Sequence, residues 1–177
     1  WTKADDIRDF QIEGMSIGDS ALDFFSENEL KNNKQINQYP NDKFIIRNFY
    51  LHSSFEKYEM VTVNHLKNDN KFTIESLGAS IFYKDIKECY NMKKKIINEF
   101  NQIFKNSKSD SGKAKKNLDK TGNSLTDITE YYLSNGSVVQ VTCDDWSEVF
   151  EKKGFEDSLN VNLQSKKFSE FLDIAYK

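Results

Sequence analysis

Apolar residues recur at intervals of three and four over about twenty residues in the middle of the chain, the spacing of one face of an α-helix. The pattern predicts a long helix over about 86–105, with Asp85 as the N-cap and Glu88 in its first turn. Its apolar stripe consists of Ile86, Cys89, Tyr90, Ile96, Ile97, Phe100, Ile103 and Phe104. Such a stripe has to be buried, most simply against a sheet of the same chain, although a partner-binding face is an alternative.

Short β-rich segments bounded by polar turn residues predict the sheet. Residues 44–51 form the first strand candidate, and 58–66 and 71–77 are expected to form a hairpin. Gly78 lies inside an apolar run that ends at Tyr83, and a glycine in such a run favours a bulge or a bend.

The dipeptide Asn135-Gly136 is a strong hairpin signal, because both central residues of a type I′ turn need positive φ. It lies between the β-rich segments 125–133 and 138–143, and the predicted register pairs Tyr132 with Val139. One face of this hairpin would then carry Ile128, Tyr132, Val139, Val141 and Cys143.

The ends of the chain contribute shorter elements. Ser16 and Ser26 are followed three residues later by an acidic residue, which predicts capped helices over about 17–25 and 27–32. Alternating apolar residues over 159–163 predict a last strand. A final helix should follow Ser165, with one apolar face formed by Phe168, Phe171, Leu172 and Ala175.

Together these elements predict an α+β fold in a single domain over residues 1–177. We expect an antiparallel sheet of about six strands with helices packed on one face. The element order is similar in two halves, 14–83 and 84–164, through either an ancient duplication or independent short meanders. Residues 106–123 are polar apart from Leu118 and carry an excess of lysine, which predicts a mobile loop, either solvated or touching an anionic lipid or polymer.

The composition argues against several classes of function. A net charge of -3 and a pI near 5.5 do not fit a nucleic-acid partner. No apolar run approaches the ~18 residues of a transmembrane helix. The chain has no phosphate-binding glycine loop, nucleophile elbow or zinc-binding helix motif, and only His52 and His65 are available as bases. We therefore expect no catalytic residue and no cofactor, although distant residues can still assemble a site.

Three carboxylates near one strand end are also candidate metal ligands. Asp144, Asp145 and Asp157 could bind Ca²⁺ together with backbone carbonyls. Adjacent aspartates at a strand end are more often turn formers, so we expect no metal.

The two cysteines lie on elements that are expected to pack together. Cys89 is on the buried stripe of the long helix, and Cys143 is on the predicted apolar face of the hairpin. In an oxidising compartment they would form a disulfide, and otherwise they would be two buried thiols. The first residue is Trp1 rather than a methionine, which favours an exported protein whose signal peptide has been removed. A trimmed cytosolic chain is the alternative.

The aromatic content of 14% is enough to build a core, and it suggests that some rings also bind a partner or a ligand. The leading functional expectation is a non-enzymatic, periplasmic or secreted module that binds another protein or an envelope component. The alternative is a small-molecule carrier with an aromatic cavity between sheet and helix, lined by Phe49, Tyr83, Tyr90 and Tyr132.

The sequence Gly14-Met15-Ser16, followed by two predicted helices, resembles the start of the BamE-like (SmpA/OmlA) envelope lipoproteins. That resemblance implies helices packed on a three-stranded antiparallel sheet, and a tandem pair of such units is similar to the β-lactamase inhibitor protein family. The Leu-Gly-x-Pro end of the first helix is missing. The whole chain also resembles uncharacterised exported proteins of AT-rich bacteria, which implies no activity and transfers no functional residue.

Overall fold

One antiparallel sheet of seven strands forms the centre of the protein, in the order β1-β2-β3-β7-β6-β5-β4. The computed structural model describes residues 6–36 and 39–175, so the predicted mature start at Trp1 lies outside the described residues. The strands are β1 (Phe44–Tyr50), β2 (Met60–Leu66), β3 (Ser76–Tyr83), β4 (Lys108–Lys115), β5 (Leu125–Tyr132), β6 (Val138–Asp145) and β7 (Asp157–Gln164). The helices are α1 (Glu27–Asn32), α2 (Ile86–Ile103), α3 (Glu148–Glu151) and α4 (Lys166–Ala175).

The sheet consists of two meanders, β1–β3 and β4–β7, joined where β3 pairs with β7. The predicted α+β class and antiparallel sheet are confirmed, with seven strands rather than about six. The duplication of two halves stays a prediction. No helix in the described part of the chain combines the length and the apolar character needed to cross a membrane.

Helix α2 lies on one face of the sheet, which we call the core face. The Asp85 side chain accepts a hydrogen bond from the Lys87 backbone N–H (3.0 Å), which caps the helix as its sequence predicts. Phe104, just after the helix, packs against Tyr131 of β5 with ring centroids 5.0 Å apart. Cys89 and Cys143 meet at disulfide distance beneath the helix, with their Cα atoms 6.0 Å apart.

Helix α4 packs on the opposite face, so the expectation that the helices share one face is wrong. Ser165 caps α4 by accepting from the Phe168 N–H (3.1 Å). Phe168 and Phe171 then cover Phe44 of β1, which points away from the core face. Two adjacent strand residues face opposite sides of a sheet, and the buried pair Phe44–Ile45 gives β1 an apolar residue on each face.

The predicted loop 106–123 is corrected over Lys108–Lys115, because these residues form the edge strand β4. Every residue of β4 pairs with β5, from Lys108 opposite Tyr132 to Lys115 opposite Leu125. All eight side chains are exposed. Backbone pairing rather than burial of side chains forms this strand, so it leaves no apolar pattern in the sequence, and its lysines are typical of a protected sheet edge.

The Asn135-Gly136 hairpin is confirmed, but its predicted register is wrong by one residue. Only Gly136 of the turn has positive φ (+85°), and Leu133 pairs with Ser137 through an N–H···O bond of 2.9 Å. This is a three-residue loop with a left-handed glycine rather than a type I′ turn. Tyr131, not Tyr132, therefore pairs with Val139. Because side chains alternate along a strand, this shift of one residue places Tyr132 on the face opposite to Val139.

Helix α1 and its Ser26–Glu29 capping box are confirmed, whereas the predicted helix over 17–25 is reduced to a short 3₁₀ turn at Ala21–Asp23. The Gly18 and Ala21 N–H groups donate to the carbonyls of Ile74 and Phe72 instead of to helical partners. The same contacts occupy the 71–75 backbone, so β3 begins at Ser76 rather than at 71.

Candidate functional site

The sheet face opposite α2, which we call the polar face, carries amide and hydroxyl side chains across its central strands. Helix α4 covers only one end of it, and a groove of about 380 Å³ lies over the remainder. The groove floor consists of Thr62, Asn64, Ser76, Gly78, Ser80, Gln140, Thr142, Asn160, Asn162 and Gln164. These residues alternate with the buried apolar residues of the core face, as a two-residue strand period requires.

Part of the floor is an internal hydrogen-bond network that crosses strands. The Ser80 hydroxyl donates to Asn160 Oδ1 (2.6 Å). One row further, Asn162 Nδ2 donates to Gln140 Oε1 (3.2 Å), and Gln140 Nε2 donates to Glu130 Oε1 (2.8 Å). These amides are oriented by the protein itself before any ligand arrives.

A second row, formed by Asn64, Ser76 and Gln164, has no such network of hydrogen bonds between its own side chains. The three are direct neighbours on β2, β3 and β7. Asn64 and Ser76 are only 3% and 4% exposed. Asn64 Oδ1 accepts from the Tyr39 hydroxyl (3.1 Å), but within residues 6–36 and 39–175 its Nδ2 group and the Ser76 hydroxyl have no hydrogen-bond partner.

These two groups open onto the groove. Every fully enclosed side-chain nitrogen or oxygen in the described ranges has a partner, so the unpaired atoms of Asn64 and Ser76 must keep their small exposed area. Both residues line the groove. They present an unused donor and an unused hydroxyl to whatever fills the groove.

An apolar wall stands beside this row. Phe168 and Leu172 of α4 line the groove together with Tyr39, whose ring meets the edge of Phe168 with centroids 5.5 Å apart. Phe168 and Phe171 hold α4 against Phe44, and Lys167 Nζ also contacts Glu75 Oε1 at 2.6 Å, just before β3. The groove therefore combines a neutral polar floor with an apolar wall on the α4 side, and Met60 and Ile128 add apolar lining elsewhere.

Gly78 lies at the centre of the floor, and the bulge or bend predicted there is wrong. Residues Met60–Asn64 and Ser76–Ser80 pair in unbroken register. A Cβ atom at Gly78 would come within 2.5 Å of Asn162 Oδ1. The glycine is needed for the close approach of the Asn162 amide.

Replacing Gly78 by alanine is expected to lower the free energy of unfolding by about 1 kcal/mol, because displacement of Asn162 breaks its bond to Gln140. Urea denaturation measures the change. Gly112→Ala is the matched control, since a Cβ on this other strand glycine meets nothing within 4 Å. Equal effects of the two substitutions would contradict the assigned role of Gly78.

Charged groups lie at the β5–β6 side of the polar face, where they are paired. Asp144 contacts Lys116 Nζ (2.7 Å) and accepts from the Thr126 hydroxyl (2.8 Å). The Glu130 side chain accepts from the Tyr132 hydroxyl (2.6 Å), and this hydrogen bond raises the pKa of Tyr132 to about 12. These charged residues lie outside the Asn64–Ser76–Gln164 row, which itself contains no charged side chain.

The structure does not bring the four predicted cavity residues together. Phe49 is buried on the core face and stacks on Phe25 with centroids 3.8 Å apart. Tyr83 and Tyr90 are also on the core-face side, where Tyr90 donates to Asp145 (3.2 Å). Tyr132 lies on the polar face. The small-molecule carrier stays a prediction.

The three carboxylates considered for Ca²⁺ are divided between the two faces. Asp144 faces the groove with its Lys116 partner. Asp145 and Asp157 lie on the other face, where Asp157 accepts from the Trp146 N–H (2.8 Å). Burial, and then the neighbouring acidic residues, raise the pKa of Asp157. Within the described ranges, no group of three or more His, Cys, Asp and Glu residues is arranged to hold a metal.

Neither His52 nor His65 is among the residues that line the groove. His52 Nδ1 contacts the Ser54 hydroxyl (2.7 Å), and its Nε2 contacts Glu29 Oε1 (3.0 Å). Ser54, His52 and Glu29 are thus connected in the order of a nucleophile, a base and an orienting carboxylate. His65 is 2% exposed and bonds to Arg47 on the core face.

Sequence reasoning missed the groove because it searched for titratable and aromatic residues. The available signal was alternation: Ser76, Gly78 and Ser80 recur at every second position, as do Asn160, Asn162 and Gln164. Only strand pairing shows that the two triplets are adjacent.

Comparisons with protein-family models, with curated proteins and with solved structures found no match for this chain. The resemblance to BamE-like proteins and to the β-lactamase inhibitor protein family stays a hypothesis. Function therefore has to be inferred from the groove itself.

Proposed function

We propose that this protein is a non-enzymatic, exported binding module that holds a component of the cell envelope in the groove of its polar face. The observation that carries the proposal is the Asn64–Ser76–Gln164 row. Two of its residues are almost fully buried, yet the Ser76 hydroxyl and Asn64 Nδ2 bond to nothing in the described part of the chain.

An ordinary solvated sheet face is the competing explanation, since antiparallel sheets commonly leave one face to water. Such faces are rich in long charged side chains, which keep their ends in water. The groove floor on β2, β3 and β7 is instead formed by short neutral side chains. A small, recessed and partly unsatisfied floor is better suited to a ligand.

Export is supported by the cysteine pair. Cys89 and Cys143 are both 0% exposed and lie at disulfide distance. Disulfides persist in oxidising compartments such as the periplasm. The cysteine pair therefore favours a location outside the cytoplasm.

Cosedimentation with an isolated bacterial envelope fraction tests the proposal. Wild-type protein should pellet with the fraction, and Gly78→Ala, which disturbs the groove floor, should pellet less. Gly112→Ala should behave like the wild type. Equal sedimentation of all three proteins, or none at all, would contradict binding through the polar face.

A second candidate function, a serine hydrolase, is favoured by the Ser54–His52–Glu29 alignment. Ser54 lies two residues from His52, and its backbone N–H also points to Nδ1 (3.3 Å), the geometry of a local turn. Labelling of Ser54 by a fluorophosphonate probe, abolished in Ser54→Ala and in His52→Gln, would support the hydrolase. We expect no labelling.

A further inference from the structure

We infer that the ligand of the groove is a neutral carbohydrate chain, bound along Asn64, Ser76 and Gln164 beside the apolar wall of α4. The inference rests on the proposed function and names the class of its ligand. It depends on three properties of the groove: its hydrogen-bonding groups, its neutrality and the apolar wall on its α4 side.

The hydrogen-bonding groups match hydroxyls on the ligand. A sugar hydroxyl both donates and accepts, as do the Ser76 hydroxyl and the amides of Asn64 and Gln164. Asn64 Oδ1 is already occupied by the Tyr39 hydroxyl, so its Nδ2 group is left to donate. Neighbouring strands lie about 4.8 Å apart, so the row offers three successive polar groups to one extended ligand.

The neutrality of the floor argues against a charged polymer. No Lys, Arg, Asp or Glu belongs to the row, and Asp144, the charged residue of the groove lining, contacts Lys116. An anionic ligand would therefore find no free cation on the floor, and a cationic ligand would find no free carboxylate. Charged ligands are recognised chiefly by opposite charges.

The apolar wall fits the other surface of a sugar. Tyr39, Phe168 and Leu172 form one side of the groove, and aromatic and aliphatic groups pack on the C–H faces of sugar rings through dispersion and burial. A peptide is a poorer occupant. Strands β2, β3 and β7 are each paired on both sides, so the floor offers no free strand edge for backbone pairing.

Isothermal titration calorimetry against neutral tetrasaccharides tests the inference, using α- and β-linked chains of glucose, galactose, mannose and N-acetylglucosamine. Tetragalacturonate and tetraglycine are the charged and peptide controls. We expect at least one neutral chain to bind, with Ser76→Ala weakening that binding roughly tenfold. The thermal midpoint of Ser76→Ala should not fall, because the hydroxyl has no partner among the described residues. Ser109→Ala, an exposed serine on β4, should leave affinity unchanged.

The outcomes separate this inference from the proposed function. If envelope cosedimentation depends on Gly78 but no neutral tetrasaccharide binds, the carbohydrate assignment is overturned and the binding module remains. Stronger binding of tetragalacturonate or tetraglycine overturns it as well. If the wild-type protein neither sediments with the envelope fraction nor binds a neutral tetrasaccharide, both the proposed function and the carbohydrate inference are overturned. A Ser76→Ala variant with lower stability and unchanged affinity would assign the serine a structural role and overturn the proposed subsite.

Discussion

Reduction of the Cys89–Cys143 pair is expected to lower the free energy of unfolding by about 4 kcal/mol. The bridge links residues separated by 54 positions, and it removes conformations from the unfolded chain that a reduced chain regains. Both cysteines are 0% exposed between α2 and β6, so the native packing already holds them together. Urea denaturation with and without dithiothreitol measures the effect.

The matched control is the double variant Cys89→Ala/Cys143→Ala, which should be insensitive to dithiothreitol. Thiol titration of the unfolded, unreduced protein, made under oxidising conditions, should detect no free thiol. Two free thiols per chain in that material, or a wild-type stability that reductant does not change, would contradict the bridge.

Replacing Arg47 by methionine is expected to lower the free energy of unfolding by about 3 kcal/mol, because it leaves two buried acceptors unpaired. Arg47 is 6% exposed on the core-face side of β1. Its Nε donates to His65 Nε2 (2.8 Å), and its Nη1 donates to the Leu30 carbonyl. Methionine keeps much of the apolar stem. Lys31→Met, next to Leu30 and exposed, is the control and should have little effect.

The same contact predicts a pH dependence of stability. His65 Nε2 accepts from Arg47 while Nδ1 lies 2.7 Å from the Leu66 carbonyl, so the ring is neutral with its proton on Nδ1. Burial lowers the pKa of His65, and although the Leu66 carbonyl opposes this, the Arg47 charge lowers it further. The unfolded chain takes up a proton near pH 6.5. The stability is therefore complete above about pH 6.5 and declines as the pH falls towards the lower folded value.

Denaturation curves at a series of pH values between about 8 and 5 measure this decline. His65→Gln should flatten it, since a glutamine amide can accept from Arg47 without titrating. His52→Gln retains the buried histidine and should preserve it. A decline that persists unchanged in His65→Gln would assign the pH dependence to another group.

Local patterns in the sequence predicted the elements that bury a complete apolar face. Helix α2 was predicted from its stripe and its Asp85 cap, α1 from its Ser26 capping box, and the cysteine contact from two apolar faces that had to meet. For the two helices, residues close in sequence carry the whole signal, because a helical period repeats within one element. For the cysteines, the local period predicted only the face on which each one lies, and their contact required α2 to pack on β6.

Several features required partners distant in sequence. Strand β4 exists because β5 completes its backbone hydrogen bonds, although none of its side chains is buried. The 17–25 segment is not a helix because Ile74 and Phe72 accept its N–H groups. The register of the β5–β6 hairpin depended on the turn, in which Gly136 but not Asn135 has positive φ.

The candidate site belongs entirely to this second group. Asn64, Ser76 and Gln164 are three ordinary polar residues in the sequence, and each is on a strand with a separate apolar face. Alternation within β2, β3 and β7 determines that such residues share a side of their own strand. Only the pairing of β2 with β3 and of β3 with β7 aligns them in one row, and only the packing of α4 on Phe44 places an apolar wall beside that row. Strand order and helix docking are set by contacts between distant segments, which a local period cannot encode.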